Sequence, residues 1–301
     1  MTLWPFGKDA NAAQQNSQDV LATLLVMAWT VEARDPYTGG HLWRVSRMAE
    51  VLARRAGLSG IDVSRVAIGG FLHDLGNIGT PDTILRKTGP LDDDEYDIIH
   101  THPSVGARLL ASHPLAALAL DAVRSHHERP DGTGYPDKLK AEDIPLDARI
   151  ISVCDAFDAM TSHRPYRKAM TIAEAMAAIR QGIGTQFDRR FGEHFLALSG
   201  SGVLEHIVGH SDDGVPLLSC TMCGPILVAR RGQGAGDTLH CRNCGGEYAL
   251  ATGPHGTLEA RQTGRVGSPR ELEPSADTAL IRRFIDGGAR TAIGHRLRIA
   301  A

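Results

Sequence analysis

Aromatic residues are scarce in this sequence: Phe, Trp and Tyr supply 5% of 301 positions. The core must therefore be built mainly from Leu, Ile, Val, Ala and Met. Long hydrophobic runs are missing as well. The longest, residues 20–29, is about half of the ~20 apolar residues that a membrane-spanning helix needs. The N-terminus passes from Trp4-Pro5-Phe6-Gly7-Lys8 into a polar stretch, without the apolar segment and cleavage pattern of a secretory signal. A cytoplasmic location and no membrane association are expected. No sign of charge dominates: 32 Lys and Arg against 35 Asp and Glu give a net charge of −3, which does not support nucleic-acid binding. Five Cys are too few and too clustered for a disulfide scaffold.

Histidine is what the sequence has in excess. Of 14 His, eight fall between His41 and His163, and His is both the commonest metal ligand and a frequent proton carrier. The segment that holds them reads as helical. His41, Val45, Met48 and Leu52 recur at the spacing of one helix face. Val63, Val66, Ala67, Gly70 and Asp74 form a second stripe, where Gly69-Gly70 allows close approach of another helix and Gly76 can stop the element. Asp92 with Glu95 and Thr171 with Glu174 are capping boxes. Pro103 restricts His102, so a helix should kink or restart there. Pro145 opens another helix carrying Ile151, Asp155 and Asp158, and residues 129–137, rich in Gly and Pro, must be a loop.

The expected fold class is mainly α: an all-α domain over residues 19–199, preceded by a loose tail at 1–18. A Gly-rich linker at 200–216 leads to a small β module at 217–253. Residues 254–301 read as an irregular Arg-rich tail with one short amphipathic helix near residues 278–284.

The helical candidates His41, Asp74 and Asp155 lie on apolar stripes. An Asp that faces a core is costly unless paired or bound to a cation. Together with His73, His102, His126 and His127 they offer the donors that a divalent metal requires. Seven groups exceed the four of a tetrahedral zinc. They suit two octahedral ions with a shared carboxylate, an arrangement that stabilises both attacking and leaving oxygens in phosphate-ester displacement. The competing reading of each histidine alone is a hydrogen-bonded core residue.

Four segments resemble a known family. Phe71-Leu72-His73-Asp74-Leu75-Gly76-Asn77-Ile78-Gly79 looks like the signature of the HD phosphohydrolase superfamily. His126-His127-Glu128-Arg129-Pro130-Asp131-Gly132-Thr133-Gly134-Tyr135-Pro136 matches the HHE-x-x-DG-x-GYP block of its HD-GYP subfamily. Asp155-Ala156-Phe157-Asp158-Ala159-Met160-Thr161, followed by Arg164-Pro165-Tyr166-Arg167, matches the later block, and Asp35-Pro36-Tyr37-Thr38-Gly39-Gly40-His41 with Arg44-Val45 matches the opening one. The resemblance covers residues 19–198, in the family's order.

It implies a di-metal phosphodiesterase, with iron or manganese, that opens cyclic di-GMP to pGpG by attack of a metal-bridging hydroxide, with further cleavage to GMP left open. One ion would be held by His41, His73, Asp74 and Asp155. The other would be held by Asp74, His102, His126 and His127, with His73 and Asp74 as the catalytic pair. An acidic residue four positions before the first His would add a third ion; Tyr37 stands there, so two are expected. Asn77 departs from the usual Lys, whose role beside substrate phosphate Arg164 or Arg167 could take over. Gly134 and Tyr135 would lie at the site mouth, and Asp158 could orient a ligand His. His100, His113 and His163 receive no role, and Cys154 is read as core. Two other readings stay open: a catalytically weak cyclic dinucleotide sensor or protein adaptor, and a hydrolase of another phosphoester.

Cys220-Thr221-Met222-Cys223 and Cys241-Arg242-Asn243-Cys244 form two C-x-x-C knuckles at zinc-ribbon spacing. Four thiolates make a closed, structural zinc site, whose binding supplies folding energy that a segment this small lacks. The alternative is a redox dithiol pair or an iron site. The ribbon and the GYP loop are candidate surfaces for a protein partner.

Overall fold

The computed structural model describes residues 6–163, 167–224, 226–289 and 291–293. A helical body carries a small β module on one side, so the expected fold class holds. Helix α1 (Phe6–Glu32) leads into α2 (His41–Arg55) and α3 (Gly60–Leu72). After a 3-10 turn at Leu75–Gly79 come α4 (Asp82–Leu85), α5 (Asp93–His100), α6 (His102–Leu110) and α7 (Leu120–Ser125). Helices α8 (Leu146–Thr161), α9 (Ile172–Gly182), α10 (Arg189–Leu196) and α11 (Val203–Val208) complete the body.

Local chemistry sets the boundaries. Both capping boxes form, at Asp92 with Glu95 and at Thr171 with Glu174. The chain breaks between His100 and His102 and restarts with Pro103 in the first turn of α6, as the proline required. Helix α3 stops earlier than its stripe suggested. Asp74 lies beyond its end, at φ −92° and ψ 9°, where the chain tightens into the 3-10 turn.

Close backbone approaches hold the pieces together. A Cβ on Gly70 would lie 2.9 Å from the Cα of Ser46 in α2, and one on Gly69 would lie 2.7 Å from Ala122 in α7. At Gly76 the space is tighter still: a Cβ would sit 1.8 Å from the carbonyl oxygen of His102. Only glycine lets the turn after His73-Asp74 press against the start of α6.

The β module has three pieces. Strands β1 (His210–Asp212) and β2 (Val215–Pro216) form one hairpin, and β3 (Leu218–Ser219) and β4 (Ile226–Leu227) a second. Strands β5 (Thr238–His240), β6 (Gly246–Thr252) and β7 (Leu258–Val266) form an antiparallel sheet in sequence order.

Three expectations about the flanks are corrected. Residues 6–18 are not a loose tail but the first turns of α1; the stretch is rich in Ala and Gln, which favour helix. Residues 200–216 are more than a linker. Helix α11 buries Leu204 and Ile207 in the body's core, and β1–β2 follows it. The Arg-rich segment is ordered among the described residues. It supplies β7, then α12 (Pro269–Leu272) and α13 (Thr278–Phe284), the latter matching the expected amphipathic helix. Leu280, Ile281 and Ile285 pack into a cluster with Leu21, Leu25, Ile68, Phe71 and Leu72. Arginines on the outer face disguised a segment whose apolar residues close the core between α1 and α3.

Ile281 is 1% exposed in that cluster. Ile281→Ala should destabilise the protein by about 2–5 kcal/mol in urea unfolding. An unchanged midpoint would mean that the C-terminal helix does not seal the body.

Candidate metal centre

Seven side chains arrive from five places: the first residue of α2, the turn after α3, the start of α6, the end of α7 and the middle of α8. His41 Nε2 and His73 Nε2 are 3.3 Å apart. Asp155 Oδ1 is 3.5 Å from the former and 3.8 Å from the latter. On the other side, His102 Nε2 and His126 Nε2 are 3.1 Å apart, with His127 in the same group. Asp74 stands between the two sets. Its Oδ2 is 3.8 Å from His41 and 3.7 Å from His73, while its Oδ1 is 3.3 Å from His102. One carboxylate thus turns one oxygen to each set, which is the geometry of a bridge.

The tautomers show which way the imidazole lone pairs point. His73 Nδ1 lies 2.8 Å from the Gly70 carbonyl, and His102 Nδ1 lies 2.7 Å from the Ile99 carbonyl. His126 Nδ1 lies 3.1 Å from the carbonyls of Ala122 and Val123, and His41 Nδ1 lies 2.7 Å from Asp158 Oδ2. Carbonyls and ionised carboxylates only accept, so each Nδ1 donates. In a neutral ring the Nε2 lone pair then faces inward. Two such lone pairs, as at His102 and His126 3.1 Å apart, repel unless a cation lies between them. Donors about 2.1 Å from an octahedral ion sit ~3 Å apart at adjacent positions, close to the observed separations.

The electrostatics agree. Burial, then the charge of neighbouring imidazoles, pushes His126 and His127 well below the usual histidine pKa, so they are neutral ligands in waiting. His102 is lowered too, mainly by burial. Asp74 is held below the usual carboxylate range: burial opposes this, but the surrounding histidines outweigh it. His41 differs. Burial works against its charge, yet the hydrogen bond and charge of Asp158, with Asp155 and Asp74, raise it to about 9.

Asp158 anchors more than His41. Its Oδ2 also accepts from Arg44 Nη2 at 3.0 Å, and its Oδ1 accepts from Arg44 Nε. Both side chains are 1% exposed. Sequence reasoning placed Arg44 in a motif but gave it no role; its position three residues after His41, one helical turn along α2, was the available signal.

The residues expected to touch substrate fare differently. Asn77 lines a cavity of about 40 Å³ beside His41 and Asp74. Its carbonyl accepts from Arg34, which also holds the carbonyls of Ile78 and Thr80 and the carboxylate of Asp82. Tyr135 stacks on His127, with centroids 4.7 Å apart and planes at 27°. His100, given no role from sequence, is the other ring contact of Tyr135, with centroids 4.2 Å apart, and so belongs to the rim of the centre. Gly134 is buried. A Cβ there would lie 2.4 Å from the Arg129 nitrogen, so it serves the folding of the loop and does not face an open site. Glu128 ties that loop down by accepting from the amides of Asp137 and Leu139. Arg167 is exposed and donates to the Ala159 carbonyl at the end of α8. Arg164 lies outside the described residues.

The four module cysteines form a second cluster. Sγ separations are 3.5 Å for Cys220–Cys223, 3.6 Å for Cys223–Cys241 and 3.7 Å for Cys220–Cys244. A tetrahedron with Zn–S bonds of ~2.3 Å has edges of about 3.8 Å, so the donors fit zinc and are far from disulfide contact. Cys220 is drawn down to about 6: burial opposes this, but the Tyr248 hydroxyl and the amides of Cys223 and Met222 favour its thiolate. Burial raises Cys223 and Cys241, so the full set of thiolates needs a cation. Cys154 is fully buried core, as expected.

Comparison with known proteins now adds to this geometry. The HD domain family matches residues 26–191. The cyclic di-GMP phosphodiesterase response regulator RpfG of Xanthomonas campestris pv. campestris is 40% identical over 202 residues, covering 66% of this chain and 52% of that protein. A cyclic di-GMP phosphodiesterase of Thermotoga maritima is 38% identical over 169 residues, covering 56% and 46%. The 3'3'-cGAMP-specific phosphodiesterase 3 of Vibrio cholerae is 38% identical over 159 residues, covering 52% and 34%. The chain spans about half or less of the length of these relatives. Among the described residues, no helix is long and apolar enough to cross a membrane.

Asp158→Asn keeps the shape of the anchor and removes its charge. It should weaken manganese binding at the His/Asp centre about 10–100-fold in calorimetric titration. Binding at wild-type strength would show that the buried Arg44–Asp158–His41 chain does not orient a ligand.

Proposed function

Because the chain belongs to the HD domain family, we propose that it is a metal-dependent phosphodiesterase that opens cyclic di-GMP to pGpG and on to GMP. The observation that carries this reading is Asp74, whose two carboxylate oxygens face two separate sets of imidazoles. His41, His73, Asp74 and Asp155 would hold one divalent ion; Asp74, His102, His126 and His127 would hold the other. Iron or manganese suits this mixed imidazole–carboxylate set, and zinc suits the four cysteines. Two such ions supply a water of lowered pKa and neutralise phosphate charge.

The chain's own part is positioning. Backbone carbonyls and Asp158 fix the imidazole tautomers, so no ligand must reorient when substrate binds. Tyr135 and His100 form an aromatic wall against which a purine base could stack. The low exposure of the histidines keeps the dielectric low, so charge on the reacting phosphate is stabilised more than it would be in water. Free thiols suit a cytoplasmic setting, where they stay reduced.

Asn77 beside His41 and Asp74 favours one further reading: a neutral amide where a cation is usual weakens phosphate binding, which suits a sensor or adaptor with little turnover. Manganese-loaded protein assayed with cyclic di-GMP separates the two. Turnover is expected, with His73→Ala and Asp74→Ala each losing at least about 100-fold, the scale for loss of a single transition-state contact. Dinucleotide binding without turnover would favour the sensor, and hydrolysis of mononucleotides alone would sink both. Asn77→Lys should change the rate by less than ~10-fold, about 1.4 kcal/mol.

A further inference from the structure

The β module sits on the segment that delivers His41. Residues 33–40 form the loop between α1 and α2, and α2 begins at His41 itself. Gly40, at φ +77°, sets the entry to that helix, and a Cβ on it would lie 2.8 Å from the Ser211 Cα in β1. One residue earlier, a Cβ on Gly39 would lie 2.5 Å from a methyl of Val228 and 3.4 Å from one of Ile226. The Ile226 amide donates to the Pro36 carbonyl at 3.3 Å. Ile226 and Val228 follow Cys223 by three and five residues, in and just after the strand β4 that leaves the first cysteine knuckle.

The second knuckle reaches the same segment from another side. Arg242, between Cys241 and Cys244, lies 5.2 Å over the Trp29 ring and donates to the Ala33 carbonyl at 3.4 Å. Glu32 next to it is half-buried and accepts from the amide of Leu42, the residue after His41, at 2.8 Å. Tyr37, in the middle of the loop, is buried within range of the Cys220, Cys223 and Cys241 charges. Both knuckles therefore bear on the residues flanking one ligand of the His/Asp centre.

We propose that a zinc ion held by Cys220, Cys223, Cys241 and Cys244 is a positioning element for the His/Asp centre. Through the two knuckles it clamps residues 33–40 and thereby sets where His41 presents its Nε2. The cluster's sulfur separations fit the ion, and three of the four strands that flank the knuckles (β3, β4 and β5) are two or three residues long, too short to hold this shape without it. Removing zinc frees Ile226, Val228 and Arg242, and the loop then loses the contacts that fix the start of α2. The inference rests on the reading of His41 as a metal donor.

The test uses the full chain and two measurements: zinc content by elemental analysis, and manganese affinity at the His/Asp centre by calorimetry and electron paramagnetic resonance. Wild type should carry one zinc and bind manganese. The double variant Cys241→Ser/Cys244→Ser should lose zinc and bind manganese about 10–100-fold more weakly, the scale for a lost ligand-orienting contact. Val228→Asp keeps all four cysteines and removes the contact with Gly39. It should retain zinc, keep wild-type helix content and still lose manganese affinity on the same scale. Zinc retained with unchanged manganese affinity in Val228→Asp, or zinc lost with unchanged affinity in the cysteine variant, overturns the coupling alone. Failure of wild type itself to bind manganese overturns the reading of the His/Asp centre and the coupling with it.

Discussion

Imidazole nitrogens that point at one another across little more than 3 Å govern the rest of this molecule. Without positive charge between them the arrangement is repulsive, and four of the five imidazoles are fixed from behind so that they cannot turn away. Three are held by helix carbonyls, the fourth by a buried carboxylate. Holding them there requires helices that meet at backbone distance. That is why Gly70 sits against Ser46 and Gly76 against the His102 carbonyl. A methyl group at either position would separate the α2, α3 and α6 contributions by more than a coordination sphere tolerates.

The buried Arg44–Asp158 pair belongs to the same problem. Desolvating two full charges is costly, and such a pair adds little net stability compared with apolar packing. Its presence is explained by what Asp158 must do. A carboxylate that orients His41 has to be ionised deep in the core, and a guanidinium bound through two of its nitrogens keeps it so. The body gives up some folding stability to hold a ligand at a fixed angle.

Much of this was legible in the sequence because the informative residues follow local rules. Capping boxes, the proline before α6 and the His41–Leu52 stripe each depend on neighbours within a few positions. The seven donors were legible through their motif strings, which encode long-range geometry without revealing it. What escaped were relationships that no local pattern carries. Asp74 was placed on a helix stripe but lies past the helix end, because the chain tightens to let Gly76 reach α6. His100 had no role until the loop after Glu128 folded Tyr135 against its exposed ring. The segment after residue 254 looked irregular, since its eight arginines and scattered Gly and Pro break up the apolar pattern. Ile281 and Ile285 acquire meaning only once α1 and α3 offer a surface lacking a cover.

The C-terminal course of the chain also explains why the β module cannot be a passive appendage. After β7 the chain returns to the helical body and buries α13 against α1 and α3. The module is therefore tethered at both ends, by α11 in the body's core and by α13 in a second cluster. Arg283 and Arg231 add ion pairs to Asp212 in β1, beside Gly40. A module fixed on two sides cannot shift as a rigid unit without pulling on its contact with residues 33–40. Any change in its internal geometry is then transmitted to that loop, because the loop is the part of the contact with the least regular structure of its own. A few short strands stabilised by one ion are easily altered from within, whereas the helical body is not. The asymmetry gives the direction of influence, from the cysteine cluster towards His41.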